Sequence, residues 1–241
     1  MRTVGGTLVL AWFGLASSRL ALAAQAPGLP VVNAGAARGL TLAGRVGFPN
    51  RAAGSGTAYE IAATLGARRI ALTGLAAFHR RPGYVAEDYT SLGANLSYKV
   101  FGGPLVPLGL TLQAGAAYAT PRPLSLPGAP GGAPAYDGTL TIWHVPIGLG
   151  LAWTIARPVV AIRPWVAPRL DVRYVRTPAL VGGVGQPIPE SSTTDAEFGL
   201  SGGVSFGFLN GISIDAALDR MLGSPGAKPT TFSMGLSVAI R

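Results

Sequence analysis

The sequence contains no cysteine and only two histidines, and both scarcities exclude kinds of chemistry. Without cysteine the chain can form no disulfide framework, no thiolate metal site and no cysteine nucleophile. Any histidine-based catalysis must use His79 or His144. No phosphate-binding Walker loop, no histidine cluster with metal-ligand spacing and no Gly-x-Ser-x-Gly elbow occurs. We therefore expect no metal and no cofactor.

Charge is also scarce, since charged residues are 12% of the chain and hydrophobic residues 49%. This composition is too apolar for a disordered protein, and 35 glycines are too many for a helical one. The net charge of +9 comes without any Lys/Arg-rich run or basic helix. We therefore expect no nucleic-acid partner, and anionic lipid headgroups as the counter-charge.

The N-terminal apolar run, from Leu8 to Ala16, is shorter than the roughly 20 residues that a membrane-spanning helix needs. Arg2 precedes it, and Ala21-Leu22-Ala23 places small residues at the spacing of a cleavage site. We predict a secretory signal peptide over residues 1–23 and a short periplasmic lead over 24–38. The remaining residues, 39–241, form one predicted domain.

Apolar residues in this domain recur with a period of two, which predicts β-strands. At the C-terminus the alternate residues from Phe232 to Ile240 are all apolar, and those between them are small or polar. Nine earlier segments show the same alternation: Leu40 to Phe48, Thr57 to Leu65, Arg69 to Phe78, Tyr89 to Val100, Leu108 to Tyr118, Thr139 to Ile155, Val160 to Val175, Asp195 to Phe208 and Ile212 to Met221. Each is about ten residues or longer, which suffices for a tilted strand to cross a membrane.

The predicted connections alternate between short and long. The short ones are Gly66 to Arg68, Phe101 to Pro107, Ala156 to Pro158 and Leu209 to Gly211. The five longer ones are rich in Pro, Gly, Ser or charge. A barrel with both termini in the periplasm has this alternation. We predict an all-β, antiparallel, up-and-down transmembrane barrel of about ten strands, with eight as the alternative.

Polarity and the aromatic residues predict which face of each strand points outward. The polar faces carry charges of both signs, as an enclosed lumen requires. The predicted lumen network comprises Arg45, Glu60, Arg69, Lys99, Arg163, Arg169, Asp171, Arg173, Asp215 and Asp219. On the opposite faces, aromatic residues lie near strand ends, where membrane barrels carry aromatic girdles. The predicted girdle residues are Trp143, Trp153, Tyr59, Tyr98, Tyr118 and Tyr174.

From Leu40 to Arg241 the chain resembles the bacterial outer-membrane β-barrel proteins, in architecture rather than by a motif. It departs from their common aromatic C-terminal residue, because it ends Val238-Ala239-Ile240-Arg241. The resemblance implies a location in the outer membrane of a Gram-negative-type bacterium. It also implies outer-membrane lipids, lipopolysaccharide and the barrel-assembly machinery as partners.

The function stays open between three classes at this stage. We expect a non-enzymatic scaffold, or a barrel whose loops contact the envelope or the cell surface. The first alternative is a narrow pore for small solutes, anionic ones included. The second is an omptin-like hydrolase at the outer mouth, for which His144, Asp195 and Glu197 are weak catalytic candidates. His79, predicted in an outer loop, has no evident partner in the sequence, and the omptin grouping of His and Asp is not reproduced.

Overall fold

The computed structural model describes residues 39–53, 55–80, 88–103, 106–120, 140–177, 180–181, 187–188, 190–208, 211–223 and 228–240. The predicted signal peptide and periplasmic lead lie outside these residues. Within the described ranges, no helix is long and apolar enough to cross a membrane.

Ten long strands form one closed antiparallel barrel. They are β1 (Gly39–Pro49), β2 (Thr57–Ala67), β3 (Ile70–Arg80), β4 (Tyr89–Gly103), β5 (Val106–Ala119), β6 (Thr141–Trp153), β7 (Val160–Thr177), β8 (Ser191–Phe208), β9 (Ile212–Met221) and β10 (Thr230–Ile240). Each strand pairs with the next along the chain, and β10 pairs with β1 to close the barrel. The prediction of an up-and-down barrel with ten strands is confirmed.

Two short pieces of strand accompany the barrel. Ile155–Ala156 pairs with the first residues of β7, and Leu180–Val181 pairs with Pro187–Ile188 in the connection between β7 and β8. The strand ends that the five longer connections join lie at one end of the barrel, which we call the loop end. The strand ends that the four short connections join lie at the other end, together with the start of β1 and the end of β10, and we call it the terminal end.

Several strand boundaries differ from the predicted ones. Strand β8 begins at Ser191, four residues before the predicted Asp195, because its backbone pairing with β7 continues to Ser191 opposite Thr177. The segment Ser191 to Thr194 is uniformly polar, so alternation cannot reveal it. Strand β6 ends at Trp153 rather than Ile155. The β4–β5 connection is shorter than predicted, because both strands continue past a β-bulge near Phe101.

Burial is inverted relative to a soluble barrel. Ile61 is 70% exposed, whereas the preceding residue, Glu60, is 3% exposed. The same alternation covers the barrel, so that Leu, Ile, Val and Phe side chains point outward and polar side chains point inward. An apolar outer surface of this extent is stable only in contact with lipid. The strands, whose backbone groups are paired around the closed sheet, therefore span a membrane.

Candidate functional site

The first charged cluster of the lumen joins three strands around Arg45. Its Nη1 donates to Glu60 Oε1 at 2.7 Å, and its Nε lies 3.5 Å from Asp215 Oδ2. In the strand register Gly235 lies between Arg45 and Asp215. A Cβ at this glycine would lie 2.7 Å from Arg45 Cγ and 2.9 Å from both Asp215 carboxylate oxygens. Because Gly235 has no side chain, Arg45 of β1 can reach across β10 and pair with Asp215 of β9.

Replacing Gly235 with alanine should therefore destabilise the barrel by about 1–3 kcal/mol, the usual cost of forcing extra volume into a filled interior. The matched control is Gly74→Ala, because a Cβ at Gly74 meets nothing within 4 Å. Urea unfolding followed by tryptophan fluorescence in lipid vesicles measures both. Equal effects of the two substitutions would contradict the importance of this close approach.

The second charged cluster is centred on Arg169. Its guanidinium makes a bidentate contact with Asp219, with Nη1–Oδ1 at 2.5 Å and Nη2–Oδ2 at 3.0 Å. Ser201, fully buried, donates to Asp219 Oδ1 at 2.6 Å. Arg169 lies on β7 and Asp219 on β9, so the arginine must cross β8, and it does so over Gly199. A Cβ at Gly199 would lie 3.0 Å from Arg169 Cζ.

From Arg169 a chain of ionisable side chains continues toward the loop end. Arg169 Nε lies 3.7 Å from Asp171 Oδ2, and Asp171 Oδ1 lies 3.3 Å from His144 Nδ1. Asp171 and His144 are both buried. Such a His–carboxylate pair can hold or exchange a proton. Here the carboxylate also faces Arg169, which favours a role in holding the lumen together.

The acidic partners proposed for His144 are arranged differently from the sequence-based expectation. Asp195 pairs with Arg173, at 2.8 Å between Oδ2 and Nη2, and its side chain is half exposed. Glu197 lies opposite Asp171 in the strand register and is partly buried. The structure therefore brings His144 to Asp171, and assigns Asp195 to Arg173.

His79 lies inside the barrel and not in a loop, which corrects the expectation for it. It is the penultimate residue of β3, is buried, and stacks on Tyr89 with ring centroids 4.5 Å apart. Its Nε2 lies 3.1 Å from Ser91 Oγ. The signal was present in the sequence, because His79 continues the inward parity of Leu75 and Ala77. Tyr89 also packs with Ala119, Ile142 and Val175 in an apolar layer near the loop end.

The basic residues near the terminal end depart from the predicted lumen network, because some are only partly buried and one lies outside the lumen. Arg163 is partly buried and its Nε donates to Thr154 Oγ1 at 3.3 Å. Lys99 is partly buried as well. Arg69 does not lie in the lumen, because β3 begins only at Ile70 and Arg69 is exposed in the two-residue turn before it. Its carbonyl accepts a hydrogen bond from the Lys99 N–H at 2.7 Å.

The lumen is filled over much of its length. Many inward polar residues are at most 9% exposed, from Thr41, Thr64 and Thr111 at the terminal side to His144 and Arg173 near the loop end. Others, such as Arg45, Lys99 and Gln113, are partly buried. Beside Arg169 there is a cavity of about 20 Å³, lined by Asn95, Gln113, Pro146 and Ser201 among others. This volume suits about one water molecule. Side chains that line an open aqueous channel would instead be wetted.

Aromatic side chains lie on the outer face near both ends of the strands. Toward the loop end, Tyr59, Trp143 and Tyr174 are exposed and Tyr118 contacts Trp143 with ring centroids 4.8 Å apart. Toward the terminal end, Tyr98 and Trp153 are exposed on the same face. Trp143 and Trp153 are ten residues apart on one strand, so a strand tilted by about 45° separates them by roughly 23 Å along the barrel axis.

The hairpin formed by β7 and β8 extends beyond β9 at the loop end, whereas β6 stays paired with β7 as far as Arg176. Strand β9 pairs with β8 only from Gly199 onward. Residues 191–196 of β8 are exposed on both faces. An exposed ion pair between Arg176 and Glu190 joins the two arms of this hairpin. The hydrogen bond and positive charge of Arg176 lower the pKa of Glu190 below its ordinary value.

The described residues hold no group of three or more His, Cys, Asp or Glu that could bind a metal ion.

No protein-family model and no curated protein matches the sequence. Among solved structures, the chain is similar to the translocator domain of the autotransporter NalP from Neisseria meningitidis. The identity is 10%, the TM-score is 0.51, and the match covers 100% of both chains. This likeness supports the barrel fold.

Two further structures match with lower scores. The N-terminal β-barrel domain of Pseudomonas aeruginosa OprF is 9% identical, with a TM-score of 0.39 over 85% of this chain and 100% of that one. The outer membrane protease OmpT from Escherichia coli is 10% identical, with a TM-score of 0.39 over 84% of this chain and 94% of that one.

Proposed function

We propose that this outer-membrane β-barrel is a sealed, non-enzymatic anchor that holds its β7–β8 hairpin at the cell surface for contact with other molecules. The observation that carries the proposal is the hairpin itself, in which β8 extends past β9 and exposes both faces of residues 191–196. Exposed segments held by a rigid scaffold are common places for binding. Here the barrel supplies the scaffold.

The filled lumen supports an anchor over a pore. Arg169, Asp171 and Asp219 form a connected barrier across three neighbouring strands, and the apolar layer around Ile142 adds a second obstruction nearer the loop end. A ten-stranded barrel encloses little more than its own side chains can fill. Passage of a solute would require this charged barrier to open.

The contacts of the catalytic candidates support a structural role over a hydrolytic one. The ring nitrogen Nδ1 of His144 faces Asp171, and that carboxylate also faces Arg169. Asp195 is held by Arg173. A general base must contact a substrate or a bound water. His144 is only 6% exposed, which leaves little room for that contact.

For its membrane partners, we propose the lipopolysaccharide phosphates at the loop end and the barrel-assembly machinery during insertion. Arg51 and Arg80 are exposed at the loop end and suit contact with phosphates. Arg176 is already paired with Glu190, and Lys228 Nζ donates to the Leu222 carbonyl at 3.1 Å. Arg81 and Arg122, also expected in outer loops, lie outside the described residues.

Because the chain has no cysteine, a single introduced thiol tests the exposure of each position. In intact cells, a membrane-impermeant maleimide should label Thr193→Cys on the hairpin to near completion. It should label Arg68→Cys, in the β2–β3 turn, only after the outer membrane is permeabilised. It should not label Ser201→Cys in the lumen under either condition, because Ser201 is fully buried.

Each labelling result bears on a separate part of the proposal. Protection of Thr193→Cys in intact cells would contradict display of the hairpin. Ready labelling of Ser201→Cys would contradict the sealed lumen and favour the pore. Heat-modifiable mobility on gels provides the control that every variant forms the barrel.

A further inference from the structure

Two exposed arginines lie close together at the loop end, where β10 closes onto β1. Arg220, the penultimate residue of β9, shares the outward parity of Leu218 and lies opposite Thr230 of β10. Thr230 is in turn joined to Asn50, whose N–H donates to the Thr230 carbonyl at 2.8 Å. Two strand spacings therefore separate the backbones of Arg220 and Asn50, about 10 Å in all. Arg51 follows Asn50, and we call Arg51 and Arg220 the arginine pair.

The side chain of Asn50 fixes the backbone beside this pair. Its Oδ1 accepts the N–H of Ala53 at 2.9 Å and that of Thr230 at 3.2 Å, and its Nδ2 donates to the Lys228 carbonyl at 3.1 Å. The β1–β2 and β9–β10 connections are thus tied together at this point. Arg51 lies inside the turn that these bonds hold, so a ligand of the pair meets a largely preorganised backbone.

The positive charge of the arginine pair has no acidic counterpart nearby. The two connections around it, residues 50–56 and 222–229, contain basic residues and no Asp or Glu. Within the part of the chain that the structure describes, neither Arg51 nor Arg220 forms an ion pair. Asp219, the neighbour of Arg220, points into the lumen and is bound there by the guanidinium of the second charged cluster. The pair is therefore available to an anion from outside the chain.

An apolar surface adjoins the arginine pair on its membrane side. Phe48 and Phe232 are exposed on the outer face and stack with ring centroids 6.4 Å apart. Leu218, also exposed, lies opposite Phe232 in the strand register. Phe232 is two residues along β10 from Thr230, which places this surface about 5 Å nearer the bilayer centre than the pair for a strand tilted by about 45°. A molecule that contacts both features needs an anionic group joined to hydrocarbon.

We propose that the arginine pair binds a phosphate of one lipopolysaccharide molecule, whose acyl chains lie against Phe48, Phe232 and Leu218. This inference rests on the proposed function, because it requires the loop end to face the outer leaflet. It narrows the general contact with phosphates to one place on the barrel.

The chemistry of the pair favours a phosphate monoester over other anions. Each guanidinium can donate two parallel hydrogen bonds to a phosphate. A monoester carries a charge of about −1.5 to −2 near neutral pH, which two arginines compensate. An acidic segment of another protein would have to enter the hydrocarbon to contact the apolar surface, at the cost of burying its own backbone groups.

The test counts the molecules of lipid A, the phosphorylated membrane anchor of lipopolysaccharide, that bind to the purified barrel. Native mass spectrometry of the barrel, released from detergent and titrated with lipid A, gives both the number bound and the affinity. The test variant combines Arg51→Gln with Arg220→Gln. The matched control combines Arg69→Gln with Arg157→Gln, which removes the same charge from exposed positions at the terminal end.

The wild type and the control should bind one molecule of lipid A with affinities within about twofold, and the test variant should bind it at least about tenfold more weakly. Lipid A stripped of its phosphates should also bind the wild type at least about tenfold more weakly. Inorganic phosphate at the concentration of the lipid should leave lipid A bound, because it lacks the acyl chains.

Three outcomes would overturn the inference. They are absence of lipid A binding to the wild type, equal binding by the test and control variants, and unchanged binding of the stripped lipid. Displacement of lipid A by equimolar inorganic phosphate would also overturn it and assign the pair to free phosphate. Heat-modifiable mobility on gels shows that each variant is folded. If lipid A binding fails while Thr193→Cys is labelled in intact cells, the proposed display of the hairpin stands and only the lipid site is wrong.

Discussion

Ile147→Arg should destabilise the barrel by about 2–4 kcal/mol, the cost of placing a cationic side chain against the lipid near the bilayer midplane. Ile147 is 53% exposed on the outer face of β6, between Trp143 and Trp153 on the same face. In water an arginine at such a position would be almost neutral in its effect. The size of the change therefore reports which solvent surrounds the barrel.

The control for this prediction is Thr193→Arg, which places an arginine in water on the projecting hairpin. Its free energy of unfolding should stay within about 0.5 kcal/mol of that of the wild type. Both are measured by urea unfolding in lipid vesicles and by the yield of heat-modifiable protein in the outer membrane. If Ile147→Arg were as stable as Thr193→Arg, the apolar outer face would not contact lipid.

Asp219→Ala should cost about 3–5 kcal/mol, because it leaves the Arg169 guanidinium buried and uncompensated. Asp219 supplies both oxygens of the bidentate contact and also accepts the Ser201 hydroxyl. The nearest remaining carboxylate, on Asp171, lies 3.7 Å from Arg169 Nε and already faces His144. The lumen offers Arg169 no equivalent replacement.

Two further variants separate a broken ion pair from a simple loss of volume. The double substitution Arg169→Met with Asp219→Leu should recover most of the lost stability, because it removes both charges and refills the space. Glu190→Ala also removes an acidic partner of a β7 arginine, but in an exposed pair, and should produce no measurable change. A double variant no more stable than Asp219→Ala would show that shape, rather than charge, decides the effect.

The face on which each side chain lies could be predicted from the sequence, because alternate residues of a β-strand lie on the same face. That period also placed His79 on the lumen side, although the loop prediction overrode it. Strand ends were less predictable. Arg69 has inward parity but falls in a turn, and the uniformly polar start of β8 gives no alternation. Where side chains stop alternating, only backbone pairing defines the end of a strand.

The partners within the lumen could not be predicted in the same way. The sequence offers His144 several acidic residues of the correct parity, and the register of β7 with β6 and β8 selects Asp171 for it and gives Asp195 to Arg173. Gly199 and Gly235 then determine which arginine can reach across a strand to a second neighbour. Register between strands depends on the closed geometry of the whole sheet.

The sequence by itself determined that this chain makes about ten amphipathic strands with alternating short and long connections, because those properties are local and periodic. The tertiary structure decided which charges meet in the lumen, how completely they fill it, and that β8 continues past the end of β9. These are properties of strand stagger around a closed barrel, which no single segment of the chain encodes.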